Sequence, residues 1–153
     1  MRVSRNRTMW AAGTVLAAAL ALSGCAQMES VEKKMEAEGA KTLLVLSGAQ
    51  EVPPVNTQAS GRSSITVIGD KVITGRVETS NINATAAHIH EGAAGQNGPV
   101  IIPLVKTGEN VWAVPGNTVL SSTQFDSYRS GNLYINVHSA ANPAGEIRGQ
   151  LKP

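Results

Sequence analysis

The sequence predicts an all-β domain over residues 41–153, folded as an antiparallel β-sandwich or barrel with one short helical turn. From Lys41 onward, short runs rich in Val, Ile and Thr recur at roughly ten-residue intervals, separated by turns rich in Gly, Asn and Pro. The chain of 153 residues has one cysteine, so packing rather than an internal disulfide must stabilise this domain. Because aromatic residues make up only 3% of the chain, we expect a core of Val, Ile, Leu and Ala.

Residues 1–24 are predicted to be a secretory signal that lies outside the fold. Three arginines precede the apolar run "MWAAGTVLAAALAL", which is too short and wrongly flanked for a membrane span, and "LSGC" follows it. "LSGC" resembles the lipobox of bacterial lipoproteins at all four positions. The resemblance implies cleavage before Cys25, lipidation of its thiol and a lasting membrane anchor. Ala26 then favours the outer membrane of a Gram-negative envelope, with the domain facing the periplasm.

Residues 25–40 are predicted to be a lipidated tether. The stretch "AQMESVEKKMEAEGA" is charged and favours helix, with apolar residues spaced by three and four, but it is short for a stable isolated helix. Loss of Arg2, Arg5 and Arg7 with the signal would leave 10 lysines and arginines against 11 acidic residues. With a formal charge of −1 and no basic patch, we expect no nucleic-acid partner.

The domain's β-type runs follow in order. "TLLVLSG" is the first, and "AQEVPPV" cannot form a central strand because of its two prolines. "SSITVIG" and "VITGRVETS" flank Asp70-Lys71 and predict a hairpin. Further strands are predicted at "AAHIH", "PVIIPLV", "VWAV", "LYINVH" and "EIRGQL", separated by the turns "EGAAGQNG", "KTGEN" and "SAANPAG".

Two other local features carry structural predictions. In "SSTQFDSYRSGN", Ser121 or Ser122 can cap a helical turn that ends near Gly131. Glu146 and Arg148 lie two residues apart on one strand face, where each can pair with an opposite charge on a neighbouring strand. Glu51 and Arg62 are among the possible mates.

The three histidines of the chain fall into one consistent pattern. Successive side chains of a strand point to opposite faces, so His88 and His90 share a face. In "LYINVH" the apolar residues alternate with a polar set, Tyr134, Asn136 and His138. Because apolar sets face the core, we expect all three histidines on the outward face, where they can meet if the two strands are neighbours.

This pattern is typical of a metal site. Two imidazoles in an H-x-H pair can converge on one ion, and a third from an adjacent strand completes a three-nitrogen site that suits copper, or less favourably zinc. Metal-binding imidazoles usually donate their other N–H to an acceptor, and Glu91, Tyr134 and Asn136 are the candidates for such contacts. The alternative is three surface histidines that hydrogen-bond to loops.

Three segments together resemble a known family, the CHRD domain, a module first named from chordin. They are "LSGAQEVPPV", "AHIHEG" with "GPVIIPL", and "GNLYINVHSAANPAGEIRGQL", and they extend from about Leu43 to Leu151. The resemblance implies a β-sandwich in which His88, His90 and His138 are motif positions. It implies little about activity.

"HIHEG" and "NVHSAANPAGEIRG" are also distantly similar to the copper-binding strands of copper-zinc superoxide dismutase. That similarity implies an immunoglobulin-like or superoxide-dismutase-like sandwich, with the three histidines at copper-ligand positions. The family needs further histidines and a disulfide, which this chain does not have. Dismutation is therefore not supported, whereas a mononuclear copper site is.

The expected protein is an envelope-anchored CHRD-domain lipoprotein that binds and handles copper rather than catalysing a reaction. A metal-free adhesive or protein-interaction module with an envelope partner is the alternative. A small copper redox enzyme is the third possibility, with Glu91 the only acidic residue adjacent to a ligand.

Overall fold

The computed structural model describes residues 43–69 and 71–153, which form eleven strands and one α-helix. The strands are β1 (Leu44–Ser47), β2 (Ser60–Ser63), β3 (Thr66–Ile68), β4 (Val72–Thr74), β5 (Arg76–Ser80), β6 (Ala84–Glu91), β7 (Val100–Pro103), β8 (Val105–Gly108), β9 (Val111–Ala113), β10 (Leu133–Ser139) and β11 (Ile147–Gln150). The helix is α1 (Ser122–Arg129), and a 3-10 turn spans Gly48–Gln50.

The predicted signal segment, the tether and the lipidation residue Cys25 lie outside the described residues. Within the part of the chain that is described, no helix has both the length and the apolar character to cross a membrane.

Nine strands form one antiparallel sheet in the order β7-β6-β10-β11-β1-β2-β5-β9-β8. Its two outermost strands, β7 and β8, are consecutive in the chain with only Leu104 between them. One run of chain therefore pairs first with β6 and then with β9, so that the sheet folds back on itself. The predicted all-β antiparallel sandwich or barrel is confirmed.

The apolar core lies inside this curved sheet. Leu133, Ile135 and Val137 of β10 are fully buried, as their alternation in "LYINVH" predicts. Most of the remaining core is aliphatic, as expected, but the rings of Trp112 and Tyr128 are also buried in it. The core is therefore richer in aromatic rings than the composition suggested.

The predicted hairpin is present as β3 and β4, with Ile68 opposite Val72; Asp70 at its tip lies outside the described residues. The single strand expected over "VITGRVETS" is wrong, because the chain divides into β4 and β5 at Gly75. This residue has φ +116, and a side chain there would place its Cβ 2.5 Å from the carbonyl oxygen of Ser64. Only glycine fits both conditions.

Two further boundaries differ from the prediction. β8 extends to Gly108 through most of the "KTGEN" segment, which was expected to be a turn. β2, in the polar stretch "SGRS", was not expected to be a strand. β8 pairs with β9, and β2 lies between β1 and β5, so neighbouring strands impose the extended conformation where composition alone does not.

The predicted helical turn is confirmed and is longer than one turn. The Ser121 hydroxyl accepts from the Gln124 backbone N–H at 3.2 Å, while the Gln124 side chain accepts from the Ser121 N–H at 2.9 Å. This reciprocal capping box starts the helix, which runs for eight residues, and Gly131 with φ +70 follows its end.

All seven residues of β10 are buried, so the polar face of the sheet is covered as well as the apolar face. The Gly-rich loop, residues 92–98, lies over this face and is held to β11 through Arg148 and Gln150. Asn97 in turn donates to the carbonyl of Val52 at 2.8 Å, which joins the loop to the segment after the 3-10 turn. The expectation of an exposed outward face is therefore wrong for β10, because loops form a second, polar layer over it.

Candidate metal centre

The three histidines meet because β6 and β10 are adjacent antiparallel strands. His88 lies opposite Asn136, His90 opposite Tyr134, and His138 opposite Ala86. Strand adjacency was the condition that the sequence left open. Because β6 and β10 are neighbours, the three imidazoles, which alternation places on one face of the sheet, lie close together.

The distances between the imidazoles are close to those of a metal site. His88 Nδ1 lies 3.0 Å from His138 Nε2. One nitrogen from each of the three rings can be chosen so that all lie within 4.8 Å of one another. Three nitrogens that bind one ion at about 2.0–2.1 Å in a tetrahedral or trigonal arrangement lie about 3.3–3.6 Å from one another. The widest pair must therefore close by about 1.2–1.5 Å for all three rings to bind one ion.

Main-chain carbonyls fix the orientation of two of the rings. The Nδ1 of His90 is 2.9 Å from the carbonyl oxygen of Gly98, and the Nδ1 of His138 is 3.1 Å from that of Pro143. A carbonyl can only accept, so the hydrogen lies on Nδ1 in both rings and the lone pair lies on Nε2. The Nε2 of His90 is buried and has no hydrogen-bond partner among the described residues.

Of the three residues predicted to accept from the histidines, Tyr134 and Asn136 lie near the cluster and Glu91 does not. Glu91 is on the opposite face of β6, where its carboxylate accepts from Ser127 of α1. Asn136 lies beside His88 but donates to the carboxylate of Glu51 at 3.4 Å, and its own Oδ1 is buried without a partner among the residues described. The acceptors that the histidines use are carbonyls of loops, which residue types cannot reveal.

Tyr134 contacts the cluster through its ring. The Tyr134 and His90 rings stack with centroids 4.8 Å apart and planes 13° apart. The Tyr134 hydroxyl accepts from the backbone N–H of Gly98 at 3.0 Å and lies 3.4 Å from its carbonyl oxygen. Tyr134 therefore holds the residue whose carbonyl orients His90.

The surroundings of the three histidines favour the neutral form of each imidazole. His90 and His138 are each 8% exposed, and His88 is partly exposed. Burial lowers the pKa of all three below the usual value for histidine; for His88 and His90 the proximity of other histidines lowers it further, and for His90 so does the charge of Arg148. Hydrogen bonds to the carbonyls of Gly98 and Pro143 act in the opposite direction, but burial is the larger effect. Neutral imidazole is the form that binds a metal.

The buried side chains Arg148 and Glu51 lie in the same polar layer, and their sequence positions predicted only ion pairs for them. Arg148 forms hydrogen bonds to loop carbonyls, and the salt bridge present among the described residues joins Arg76 to Glu78 instead. Burial raises the pKa of Glu51 to about 7, against the opposing effect of the nearby Arg148 charge. Glu146 accepts hydrogen bonds from Ser139 and from the Thr57 hydroxyl rather than pairing with a cation.

Comparisons with known proteins bear on this domain as a whole. A family model described as "CHRD domain" matches residues 43–151, a span that includes all three histidines. A search of curated proteins finds no match, and a search of solved structures also finds none. The distant similarity to copper-zinc superoxide dismutase therefore has no support from these searches.

Proposed function

The chain belongs to the CHRD-domain family, and we propose that its domain binds one copper ion through His88, His90 and His138 and handles copper in the cell envelope. The observation that carries this proposal is the buried Nε2 of His90, which has no partner among the described residues. A buried polar atom without a partner destabilises a fold by about 1–3 kcal/mol. A metal ion shared with the other two rings would supply the missing partner.

The His88–His138 contact supports the same conclusion. A separation of 3.0 Å between two ring nitrogens requires one hydrogen between them, since two lone pairs repel. The lone pair of His138 lies on Nε2, so this hydrogen belongs to His88 Nδ1. A metal ion can take the place of that hydrogen once His88 moves its proton to its other nitrogen.

The donor set favours copper. Three neutral imidazoles with an open position suit copper or zinc, and divalent copper has the higher affinity for nitrogen sites in general. Among the described residues, the cluster includes no cysteine or carboxylate that would favour other metals. We therefore assign copper first and zinc second.

The cellular setting completes the proposal. The "LSGC" motif ahead of the domain supports a lipid anchor on Cys25, and Ala26 supports the outer membrane facing the periplasm. There the domain would bind copper and transfer it to another envelope protein as its partner. Binding rather than turnover is proposed because Glu91, the adjacent acid, lies on the other face of its strand.

Metal titration of the full-length chain in detergent tests this proposal. The chain should carry Cys25→Ser, which removes its only thiol as a competing ligand. We expect one tightly bound copper ion per chain, and loss of that binding in a variant with all three histidines replaced by alanine. Circular dichroism checks that the variant is folded, and Glu91→Gln on the opposite face should bind copper as the parent does.

Equal and weak binding in the parent and the triple variant would contradict the proposal. The histidines would then serve the packing of the polar layer, and a metal-free interaction module would be the better description.

A further inference from the structure

A buried cation lies behind the histidine cluster. Arg148 is 1% exposed, and it is the largest of the fully buried side chains. Its Nη2 donates to the carbonyl oxygens of Ala93 and Gln96 at 3.1 and 2.8 Å, and its Nη1 donates to the amide oxygen of Asn97 at 3.3 Å. All these acceptors are neutral, so these contacts hold the guanidinium in place without cancelling its charge.

One aromatic ring separates this charge from the cluster. The guanidinium carbon lies 3.5 Å from the centre of the Tyr134 ring. On the other side of Tyr134 is the ring of His90, whose centre is 4.8 Å away. Arg148, Tyr134 and His90 therefore form a three-layer stack, in which the charge is no farther from the His90 ring than the sum of these two distances.

We propose that Arg148 shifts the preference of the three-histidine site toward monovalent copper, Cu⁺, relative to divalent ions. The inference rests on the proposed function, to which it adds the charge state of the ion. Coulomb repulsion scales with the charge of the ion, and it is screened much less in a protein interior than in water. A divalent ion meets twice the repulsion of a monovalent one, and three neutral imidazoles supply no negative charge to offset it.

The nearby acidic groups do not remove this preference for a monovalent ion. Glu51 is the carboxyl group whose charge acts on Arg148, but burial raises its pKa to about 7, so at least half of it is neutral at and below that pH. The hydroxyls of Ser139 and Thr57 donate to the carboxylate of Glu146 and leave its charge in place. Glu146 is not, however, among the charges that shift the pKa of Arg148.

The test is the ratio of Cu⁺ to Cu²⁺ affinity, measured as the reduction potential of copper bound to the full-length Cys25→Ser chain. Arg148→Gln removes the charge, and Arg148→Lys keeps it while losing the forked hydrogen bonds. We expect Arg148→Gln to lower the ratio at least about tenfold, which equals about 59 mV for a one-electron couple. Arg148→Lys should stay near the parent, as should Arg62→Gln, which removes an exposed arginine on β2.

A second variant offsets the positive charge of Arg148 without removing this residue. The Asn97 side chain is exposed and its Oδ1 already accepts from Arg148 Nη1. Asn97→Asp places a carboxylate at that contact, and its negative charge offsets the positive charge of the guanidinium. We expect Asn97→Asp to lower the affinity ratio as Arg148→Gln does, which keeps the test decisive if Arg148→Gln does not fold. Asn97→Ala, which loses the same contact with Val52 without adding a charge, is its matched control.

Three outcomes would overturn the inference. An equal fall in Arg148→Gln and Arg148→Lys, with no change in Asn97→Asp, would mean that Arg148 acts by holding the loop. An unchanged ratio in all variants would remove the role of Arg148 while leaving copper binding intact. A parent chain that binds no copper in either oxidation state would overturn the proposed function together with this inference.

Discussion

His90 and Tyr134 lie face to face across the paired strands β6 and β10, with their ring centres 4.8 Å apart and their planes 13° apart. The Tyr134 hydroxyl also holds Gly98, whose carbonyl oxygen accepts from His90 Nδ1. One tyrosine therefore supports the histidine twice, by stacking on its ring and by placing its acceptor. Substitution of Tyr134 therefore tests whether its contacts with His90 and Gly98 support metal binding.

Tyr134→Phe is expected to lower copper affinity about tenfold, at the lower end of the range for outer partners of metal-binding histidines. The stack remains, but the hydroxyl that holds Gly98 is lost, so the orientation of His90 is less well fixed. We expect a modest loss of stability, about 1 kcal/mol, from the lost hydrogen bonds. The measurement is a competition titration against a copper chelator.

The other tyrosine in the chain provides a matched control. The Tyr128 hydroxyl donates to the carbonyl of Lys152, away from the histidines. Tyr128→Phe should therefore leave copper affinity unchanged. Equal affinity in the parent and both variants would show that the Gly98 contact does not support the site.

Alternation along "LYINVH" and "AAHIH" predicted which face of each strand carries the histidines, because side-chain direction depends only on position in an extended chain. The sequence could not predict that β6 and β10 pair, because His88 and His138 are fifty residues apart and pairing depends on the path of the whole chain. Whether the three imidazoles meet in one cluster therefore remained conditional until the topology was known.

The polar layer was less predictable than the strands. Arg148 reads in the sequence as an ordinary strand-face charge, but it is buried because loop carbonyls from Ala93 and Gln96 surround it. Any residue type can offer a carbonyl, so no pattern of side chains indicates this environment. For the same reason, the sequence could not predict the hydrogen-bond partners of His90 and His138, which are also backbone carbonyls.

Glu51 predicts an unusual dependence of stability on pH. Its pKa in the folded chain is raised to about 7 from 4.5, mainly by burial, so the folded state holds a proton that the unfolded state has released. The free energy of unfolding should therefore fall as the pH rises from about 4.5 to about 7, with a loss of about 1–3 kcal/mol from this group. Glu51→Gln should remove this decrease.

Urea unfolding at several pH values checks this prediction. Glu51→Gln should be more stable than the parent above pH 7 and should differ little from it below about pH 4.5. Glu109→Gln, which changes an exposed glutamate in the turn before β9, is the matched control and should follow the parent. A parent curve that stays flat over this range, or that changes equally in both variants, would contradict the assignment to Glu51.

Copper binding should resist mild acid. Protons compete with the metal for imidazole nitrogens, and burial lowers the pKa of all three histidines. Affinity should therefore hold down to about pH 6.5, the usual value for histidine, and fall steeply only below it. A solvated, N-acetylated "AAHIHEG" peptide, which carries His88 and His90 without the fold and has no terminal amine to bind copper, should lose copper at higher pH. Parallel curves for peptide and protein would show that burial does not protect the site.

Gly98→Ala should disrupt both the fold and the site. A Cβ at this position would lie within 1.7 Å of the carbonyl oxygen of Glu91, so the loop must move, and the carbonyl that orients His90 must move with it. We expect a stability loss of about 2–3 kcal/mol in urea unfolding, together with weaker copper binding. Gly116→Ala is the matched control because a Cβ there meets no atom within 4 Å. If Gly98→Ala binds copper as tightly as Gly116→Ala, the Gly98 carbonyl is not needed to orient His90 for the metal.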